Sequence, residues 1–337
     1  MFEFDSTAGS ETGGVAVRSA DVTIPSRRKL AALIARRELT LMLRGRHARA
    51  TLGLLAVVAF LPPLLLSLRA GALGLASFRE MLALALSFDE VALPLIGLLA
   101  GADLLAGESE DGTLVPLAAL PISRAVCFVG KLAGRAAIVV PAYLCAFTSA
   151  GLAIALVRGS AGWDDYAAIA GGGLALCLVS LAIGVALGQA NRGRTGAFGA
   201  ATIAWIAMVF VLDAALLAAV VALAPAPPEE LGTHGYGEMA AQREMMKLHE
   251  LDDSGDQSSA SGEVEAPRQT TQWLMVLDPV DLFRFTALSA SPTLHGRARV
   301  GLHEAGPGWI VLAIAWLAWL AAPIGFALRR FAGASLK

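Results

Sequence analysis

Long apolar runs dominate the chain and alternate with shorter polar segments. The runs show neither the two-residue alternation of a half-buried strand nor the one-sided stripe of a surface helix. Each is close to the roughly 20 residues that a helix needs to cross a bilayer. Six runs occur, at residues 50–68, 86–106, 134–157, 167–188, 199–224 and 308–328. The pattern predicts an all-α integral membrane protein with six transmembrane helices.

Composition supports this prediction. Hydrophobic residues make up 56% of the 337-residue chain and charged residues only 16%, whereas soluble domains carry about 25% charged residues. A backbone in lipid must satisfy its own hydrogen bonds, so the runs are expected to be helical. A soluble protein with deeply buried helices is the alternative, and the scarcity of charge argues against it.

Basic residues concentrate on segments that would share one side of the membrane. Nine Lys or Arg residues lie in residues 18–49, whereas the short segments of the other side contain only Arg69, Arg79 and Arg158. The positive-inside rule then predicts cytoplasmic N- and C-termini in a plasma (inner) membrane protein. Residues 225–307 become a long extracytoplasmic loop, and residues 308–337 form the last helix and a cytoplasmic tail.

The N-terminal region divides into two parts. Residues 1–26 are polar and predicted to be disordered. Residues 27–49 contain eight basic residues and one acid, with apolar residues at roughly helical spacing. This pattern predicts a basic amphipathic helix in the membrane interface, although a simple positive flank that sets the topology is also compatible. Its charged positions of interest are Arg37, Glu38, Arg44 and Arg46.

The predicted extracytoplasmic loop, 225–307, is acidic, with 13 acids and six bases. Within it, residues 252–272 are polar and of low complexity, which predicts a flexible linker. Met245, Met246 and His249 would lie within about one turn of a helix, a spacing that can present soft ligands to copper. Packing against a partner or the membrane surface is the favoured interpretation, so no metal site is predicted.

Acids also occur within the predicted spans. Asp103 lies near the cytoplasmic end of the second span and Asp213 midway along the fifth. An acid at such depth is functional or faces another helix, and for Asp213 a dimer-contact or pathway role and a structural role stay equally open. Asp89 and Glu90, at the outer end of the second span, are expected at the membrane interface. Gly184-x-x-x-Gly188 suits close helix packing.

A polar, turn-rich segment, GESEDGTLVPLAALPISR (107–124), joins the second and third spans. Its three acids oppose further burial in lipid. Beyond them a short helix can form that ends at Pro121, and Ser123 can cap the helix that follows. Its apolar face would consist of Leu114, Leu117 and Leu120. The predicted orientation places this helix in the cytoplasm, where its apolar face can dock into a groove on another protein.

Several motifs resemble those of ABC-2 type permeases, the membrane subunits of ATP-binding cassette exporters. They are Gly107-Glu108-x-x-x-Gly112-Thr113-Leu114, Pro121-Ile122-Ser123-Arg124, Gly130-Lys131, and Arg37-Glu38-Leu39 followed by Arg44-x-Arg46. Ahead of the last span, Asp278-Pro279-Val280-Asp281-Leu282-Phe283-Arg284-Phe285 resembles an Asn-Pro-Val-Asp-Val-Phe-Arg-Leu element. That element points to the permeases of nitrous-oxide-reductase maturation transporters. Position 278 and the acidic loop depart from the pattern.

The resemblance implies a coupling segment, within residues 107–131, that contacts a separate cytoplasmic ATPase; an ordinary cytoplasmic loop is the alternative. The implied coupling residues are Glu108, Gly112, Thr113, Leu114, Leu117, Leu120, Pro121, Ser123 and Arg124. The implied assembly pairs two copies of this chain, with ATP and Mg²⁺ bound only by the ATPase. No G-x-x-x-x-G-K-[ST] phosphate loop occurs in the sequence, which agrees with this division.

The resemblance therefore predicts a permease that exports a substrate or transmits force to an extracytoplasmic protein, in the context of copper-enzyme maturation. No residue of the chain is expected to be catalytic, no nucleic acid is expected as a partner, and membrane lipids surround it. An ion-driven carrier or a membrane anchor is the alternative, although the sequence shows no matching inverted halves. An intramembrane enzyme is a further alternative that lacks an H-E-x-x-H motif.

Overall fold

A computed structural model describes residues 26–44, 49–51, 53–61, 64, 78–110, 123–158, 163–191, 193–223, 276–290 and 309–333. These residues are helical apart from short turns, and no strand occurs among them. The main helices are α1 (Arg27–Arg44), α2 (Phe78–Glu110), α3 (Arg124–Arg158), α4 (Trp163–Ala190), α5 (Gly193–Ile206), α6 (Leu212–Leu223), α7 (Pro279–Ala290) and α8 (Trp309–Gly333). A π turn, Ala207–Val211, joins α5 to α6.

Five helical stretches are long and apolar enough to cross a membrane. They are Leu82–Ala106, Arg124–Leu152, Trp163–Ala190, Gly193–Leu216 and Trp309–Phe331. They match five of the six predicted spans and confirm the all-α prediction. The first predicted span, 50–68, is described only in part, as a shorter apolar helix at Arg49–Leu61. Pro94 and Pro141 lie inside continuous helices, as proline can in membrane proteins.

Antiparallel neighbours give the bundle two distinct ends. The α1 end holds α1, the C-terminal ends of α2 and α4, and the N-terminal ends of α3 and α5. The α7 end holds α7, the N-terminal halves of α2 and α4, and α6. The reversal between α4 and α5 is short, and Gly193 enters α5 with a φ of 77°, a value that favours glycine.

The centre of the bundle is a close contact between α2 and α4. Gly97 and Gly101 of α2 face Gly184 and Gly188 of α4 in two interlocking G-x-x-x-G patterns. A Cβ atom at any of the four positions would overlap a backbone carbonyl oxygen of the opposite helix. The predicted role of Gly184-x-x-x-Gly188 in close packing agrees with this contact. The matching pair on α2 was not anticipated from the sequence.

Two shorter helices dock on this core through glycines as well. α1 crosses α3 where Gly130 and Gly134 allow its backbone to approach. At the other end Phe283 of α7 packs against Gly172 of α4, and the indole N–H of Trp316 donates to Thr286 Oγ1 over 3.2 Å. Glycine therefore sets the helix spacing at three separate contacts.

We predict that Gly184→Ala lowers the free energy of unfolding by about 1–3 kcal/mol, because the added methyl group overpacks the α2–α4 contact. Gly171→Ala on the same helix is the matched control, since no atom lies within 4 Å of a Cβ built there. It should be neutral, or stabilising by up to about 1 kcal/mol through helix propensity. Thermal unfolding in detergent measures both, and equal behaviour of the two variants would contradict the contact.

Candidate functional site at the two ends of the bundle

The predicted coupling segment lies between α2 and α3 at the α1 end. α2 continues to Glu110, so Glu108 stands in its last turn, and α3 begins at Arg124. Ser123 directly precedes α3, and its carbonyl oxygen accepts a bond from the N–H of Cys127 over 3.2 Å, as expected at an N-cap position. The other predicted coupling residues lie outside the described residues: Gly112, Thr113, Leu114, Leu117, Leu120 and Pro121. Their role stays a prediction.

A chain of four charged side chains crosses the α1 end. Arg135 Nη2 of α3 lies 3.8 Å from Glu38 Oε1 of α1 and 3.5 Å from Asp103 Oδ2 of α2. Asp103 Oδ1 in turn accepts a bond from Arg194 Nε of α5 over 3.1 Å. This α1-end cluster, Glu38–Arg135–Asp103–Arg194, has two acids and two bases from four helices, so its formal charges balance.

Three of the four side chains in the α1-end cluster are largely buried, so the loss of a partner affects stability strongly. The Arg135 side chain is only 4% exposed, while those of Glu38 and Asp103 are 10% and 11% exposed. Removing one partner of a buried pair leaves an uncompensated charge, which costs far more than the pair itself contributes. The cluster therefore fixes α1 against the bundle and holds α2, α3 and α5 in one arrangement.

The predicted interfacial helix is thus partly an internal element. Arg37 is exposed on α1, but Glu38 is buried against α3. Arg44 is the last residue of α1, and Arg46 lies outside the described residues. The sequence identified the helix and not the inward orientation of Glu38, its single acid.

The second cluster lies at the α7 end and centres on Arg284. Its Nε donates to Glu90 Oε1 of α2 over 2.8 Å. Its Nη1 donates to Asp213 Oδ1 of α6 and to Asp281 Oδ1 of its own helix, each over 3.0 Å. This α7-end cluster joins three helices and carries three acids against one base. Its formal charge is therefore negative.

The motif around residues 278–285 forms this end. Asp278 Oδ1 accepts a bond from the N–H of Val280 over 3.0 Å, and the Asp278 carbonyl accepts one from the N–H of Leu282 over 2.9 Å. Asp278 is therefore the N-cap of α7, with Pro279 at the first helical position, where proline is favoured. An asparagine, as in the related motif, can accept the same cap bond. Phe283 is fully buried against α4.

Burial raises the pKa of Asp278 to about 7, although the bond from the Val280 N–H opposes the shift. Burial also raises the pKa of Asp281, against the opposing effect of Arg284. Asp278 Oδ2 is buried and has no hydrogen-bond partner among the described residues. The cap thus uses one acceptor oxygen of Asp278, and the cost of burying its negative charge outweighs what the Val280 bond contributes to the charged form.

The acids near the outer end of the second predicted span lie inside the bundle. Asp89 and Glu90 are both buried, and Glu90 is bound to Arg284 of α7. Their position at the membrane interface stays a prediction. Asp213 is ion-paired with Arg284 while 42% of its side chain stays exposed, and both of the roles predicted for it stay open. The inward roles of Glu90, Arg135 and Arg194 were missed. Arg135 fell inside a predicted span, and a charge at that depth was the available signal.

The described residues contain no group of three or more His, Cys, Asp or Glu side chains that could hold a metal ion. Met245, Met246 and His249, the weak copper candidates, lie outside the described residues. The three cysteines, Cys127, Cys145 and Cys177, are free thiols.

Long apolar helices with internal charge clusters define a multi-pass membrane protein. The chain matches the ABC-2 family transporter proteins over residues 32–336 and belongs to that family. It is 29% identical over 307 residues to the probable ABC transporter permease protein NosY of Pseudomonas aeruginosa, covering 90% of this chain and 94% of that one. It is 35% identical over 193 residues to the protein of the same name from Stutzerimonas stutzeri, covering 56% and 70% of the two chains. These matches confirm the predicted family.

We predict that Arg135→Ala destabilises the protein by about 3–5 kcal/mol, because it leaves Glu38 and Asp103 buried without their shared partner. Arg135→Lys retains the charge and should lose less. Arg330→Ala, an exposed arginine near the same end, should change little. Thermal unfolding in detergent compares the variants, with proteolysis of α1 as a local probe. Equal stability of Arg135→Ala and Arg330→Ala would contradict a structural role for the cluster.

We also predict a pH-dependent contribution from Asp278, whose pKa rises from 3.8 to about 7 on folding. The folded state then binds the proton more tightly, so stability falls as the pH rises from 3.8 to about 7, by at most about 1.4 kcal/mol per pH unit. Asp278→Asn keeps the cap bond and removes this slope, so it should be the more stable protein above pH 7.

The measurement for Asp278 is the melting temperature across this pH range. Asp164→Asn, the same change at an exposed position, is the control and should leave the wild-type slope in place. A slope that is unchanged in Asp278→Asn would contradict the assignment.

Proposed function

We propose that the chain is the membrane-spanning permease subunit of an ABC transporter, energised by a separate cytoplasmic ATPase that binds ATP and Mg²⁺. Membership of the ABC-2 family supports this role, as do the two relatives named as probable ABC transporter permeases. On this proposal the chain itself performs no chemistry. Its role is to change conformation when the ATPase changes conformation.

The main structural support for the proposal is the position of the connection between α2 and α3. Residues 111–122 link two membrane-crossing helices at the α1 end. Asp103 lies seven residues before Glu110, and Arg135 lies eleven residues after Arg124, about 10 Å and 16 Å along their helices. Movement of the connection therefore reaches the α1-end cluster through two short, stiff lengths of helix. A partner protein bound to this connection would therefore act on α1, α2, α3 and α5 together.

We place the α1 end in the cytoplasm, since α1 carries a dense set of basic residues. The proposal includes a sixth span at residues 50–68, an interfacial setting for residues 27–49 and an extracytoplasmic loop at residues 225–307. The plasma (inner) membrane is then the location. The α7-end cluster would lie at the extracytoplasmic side.

Two copies of the chain would form the transporter. Several large apolar side chains point away from the bundle on α5, the π turn and α8, and they suit lipid or a second copy. They include Ile203, Phe210, Ile310 and Leu317. The output would be export of a substrate or force on an extracytoplasmic protein that meets the 225–307 loop. The resemblance of residues 278–285 favours a role in copper-enzyme maturation.

We predict that Leu117→Asp abolishes association with the ATPase, because it places a charge on the apolar face of the coupling segment. Leu277→Asp, the same change at an exposed leucine of the α7 end, is the control and should co-purify with the ATPase normally. The measurement is recovery of the ATPase with each tagged variant, after size exclusion shows that both are monodisperse.

Two results would count against this prediction. One is wild-type association of Leu117→Asp. The other concerns sidedness, tested with Leu117→Cys in a background that lacks Cys127, Cys145 and Cys177. Labelling of that thiol only by impermeant reagents added outside intact cells would place the coupling segment on the wrong side.

A further inference from the structure

The long apolar stretch Gly193–Leu216 contains a π turn that ends at Val211, two residues before Asp213. The N–H of Leu212 donates to the carbonyl oxygen of Ala207, five residues back instead of four. Such turns are rare within α-helices and often occur at functional sites. Within the turn, Met208 and Val209 are buried, whereas Phe210 and Val211 are exposed.

Two polar contacts attach this helix to α2, one on each side of the turn. Before it, the indole N–H of Trp205 donates to the Val91 carbonyl oxygen over 2.8 Å. After it, Asp213 accepts a bond from Arg284, which is also bound to Glu90. Because Glu90 and Val91 are adjacent on α2, both contacts converge on one point of that helix.

The π turn accounts for this convergence. Trp205 and Asp213 are eight residues apart, and eight residues of ideal α-helix would leave their side chains about 80° apart. A π turn takes up one extra residue, so the effective separation is about seven residues. Seven residues bring the two side chains to within about 20° of one another. The extra residue turns Asp213 toward Arg284.

We propose that the π turn is a one-residue register switch: its conversion to α-helix rotates Asp213 away from Arg284 and releases α7 from α6. Trp205 stays on Val91, so only the part of the helix beyond the turn rotates. Arg284 keeps Glu90 and Asp281 as partners, which lets it lose Asp213 without being left unpaired. The α-helical form, from which π turns are a rare departure, favours release, and the ion pair favours the π turn, so the element has two states.

The register part of the proposal can be tested on the purified chain without an ATPase. In an Arg284→Lys background, a carbodiimide joins the introduced lysine to carboxylates with which it forms ion pairs, and mass spectrometry identifies the linked residues. The link from this lysine to Glu90 is the internal reference. We expect links from the lysine to both Glu90 and Asp213 when the π turn is intact.

Deleting a residue of the π turn and inserting one should have opposite effects on the link to Asp213. Deleting Val211, an exposed residue of the turn, lets the helix become regular with Asp213 on its original face, so the Asp213 link should persist. Inserting an alanine after Val211 rotates Asp213 away, so that link should disappear while the Glu90 link remains. Loss of the Asp213 link on deletion as well as on insertion, or failure of the deletion variant to fold, would overturn the register assignment.

The conversion of the π turn to α-helix is tested on the complex with the ATPase. Only this experiment rests on the proposed function. In the Arg284→Lys chain of natural length, the ratio of Asp213 to Glu90 links should fall in one nucleotide state. In the Val211 deletion variant it should stay constant, because no extra residue is left to release. A constant ratio in both chains across ATP, ADP and nucleotide-free states would overturn the switch. Failure to isolate any ATPase complex would instead count against the proposed function and leave the register result standing.

Discussion

The close approach of α2 and α4 is the contact on which both charge clusters depend. Four glycines let the two backbones touch in the C-terminal halves of both apolar stretches, where apolar side chains gain little from avoiding lipid and packing must hold the helices. α2 contributes Glu90 to one cluster and Asp103 to the other. These acids are thirteen residues apart, or about 20 Å of helix. With α2 fixed on α4, each acid has a defined place for its arginine.

The two charge clusters differ in formal charge and in the burial of their central arginine. At the α1 end two acids and two bases form a chain with balanced formal charges, and Arg135 is buried between two carboxylates. At the α7 end three acids share one half-exposed arginine. The chain at the α1 end resists the loss of Arg135, its buried centre. At the α7 end Arg284 has three carboxylate partners, and on our proposal Asp213, the most exposed of the three, is the one that leaves.

The sequence predicted the positions of the helices better than it predicted which charged side chains pair between them. Apolar run length was enough to place five membrane-crossing helices, because lipid imposes one solution on the backbone. The motif at residues 278–285 folds as one local unit, since its cap, proline and arginine are close in sequence. Partners such as Glu38 for Arg135, or Glu90 for Arg284, come from different helices, and their pairing follows from helix rotation that composition does not specify. The π turn in AMVFV has no sequence signal, because the same residues suit an ordinary helix.

Like α2, the stretch Gly193–Leu216 contributes a charged side chain to each end of the bundle. Arg194, near its start, belongs to the α1-end cluster, and Asp213, nineteen residues later, belongs to the α7-end cluster. A regular helix between two such anchors would transmit only rigid tilting or sliding. A π turn between them permits rotation of the far part relative to the near part, because one residue can pass from one turn to the next. Ion pairs at both ends and a π turn between them distinguish this stretch among the helices that the structure describes, and on our proposal they let movement at one end alter contacts at the other.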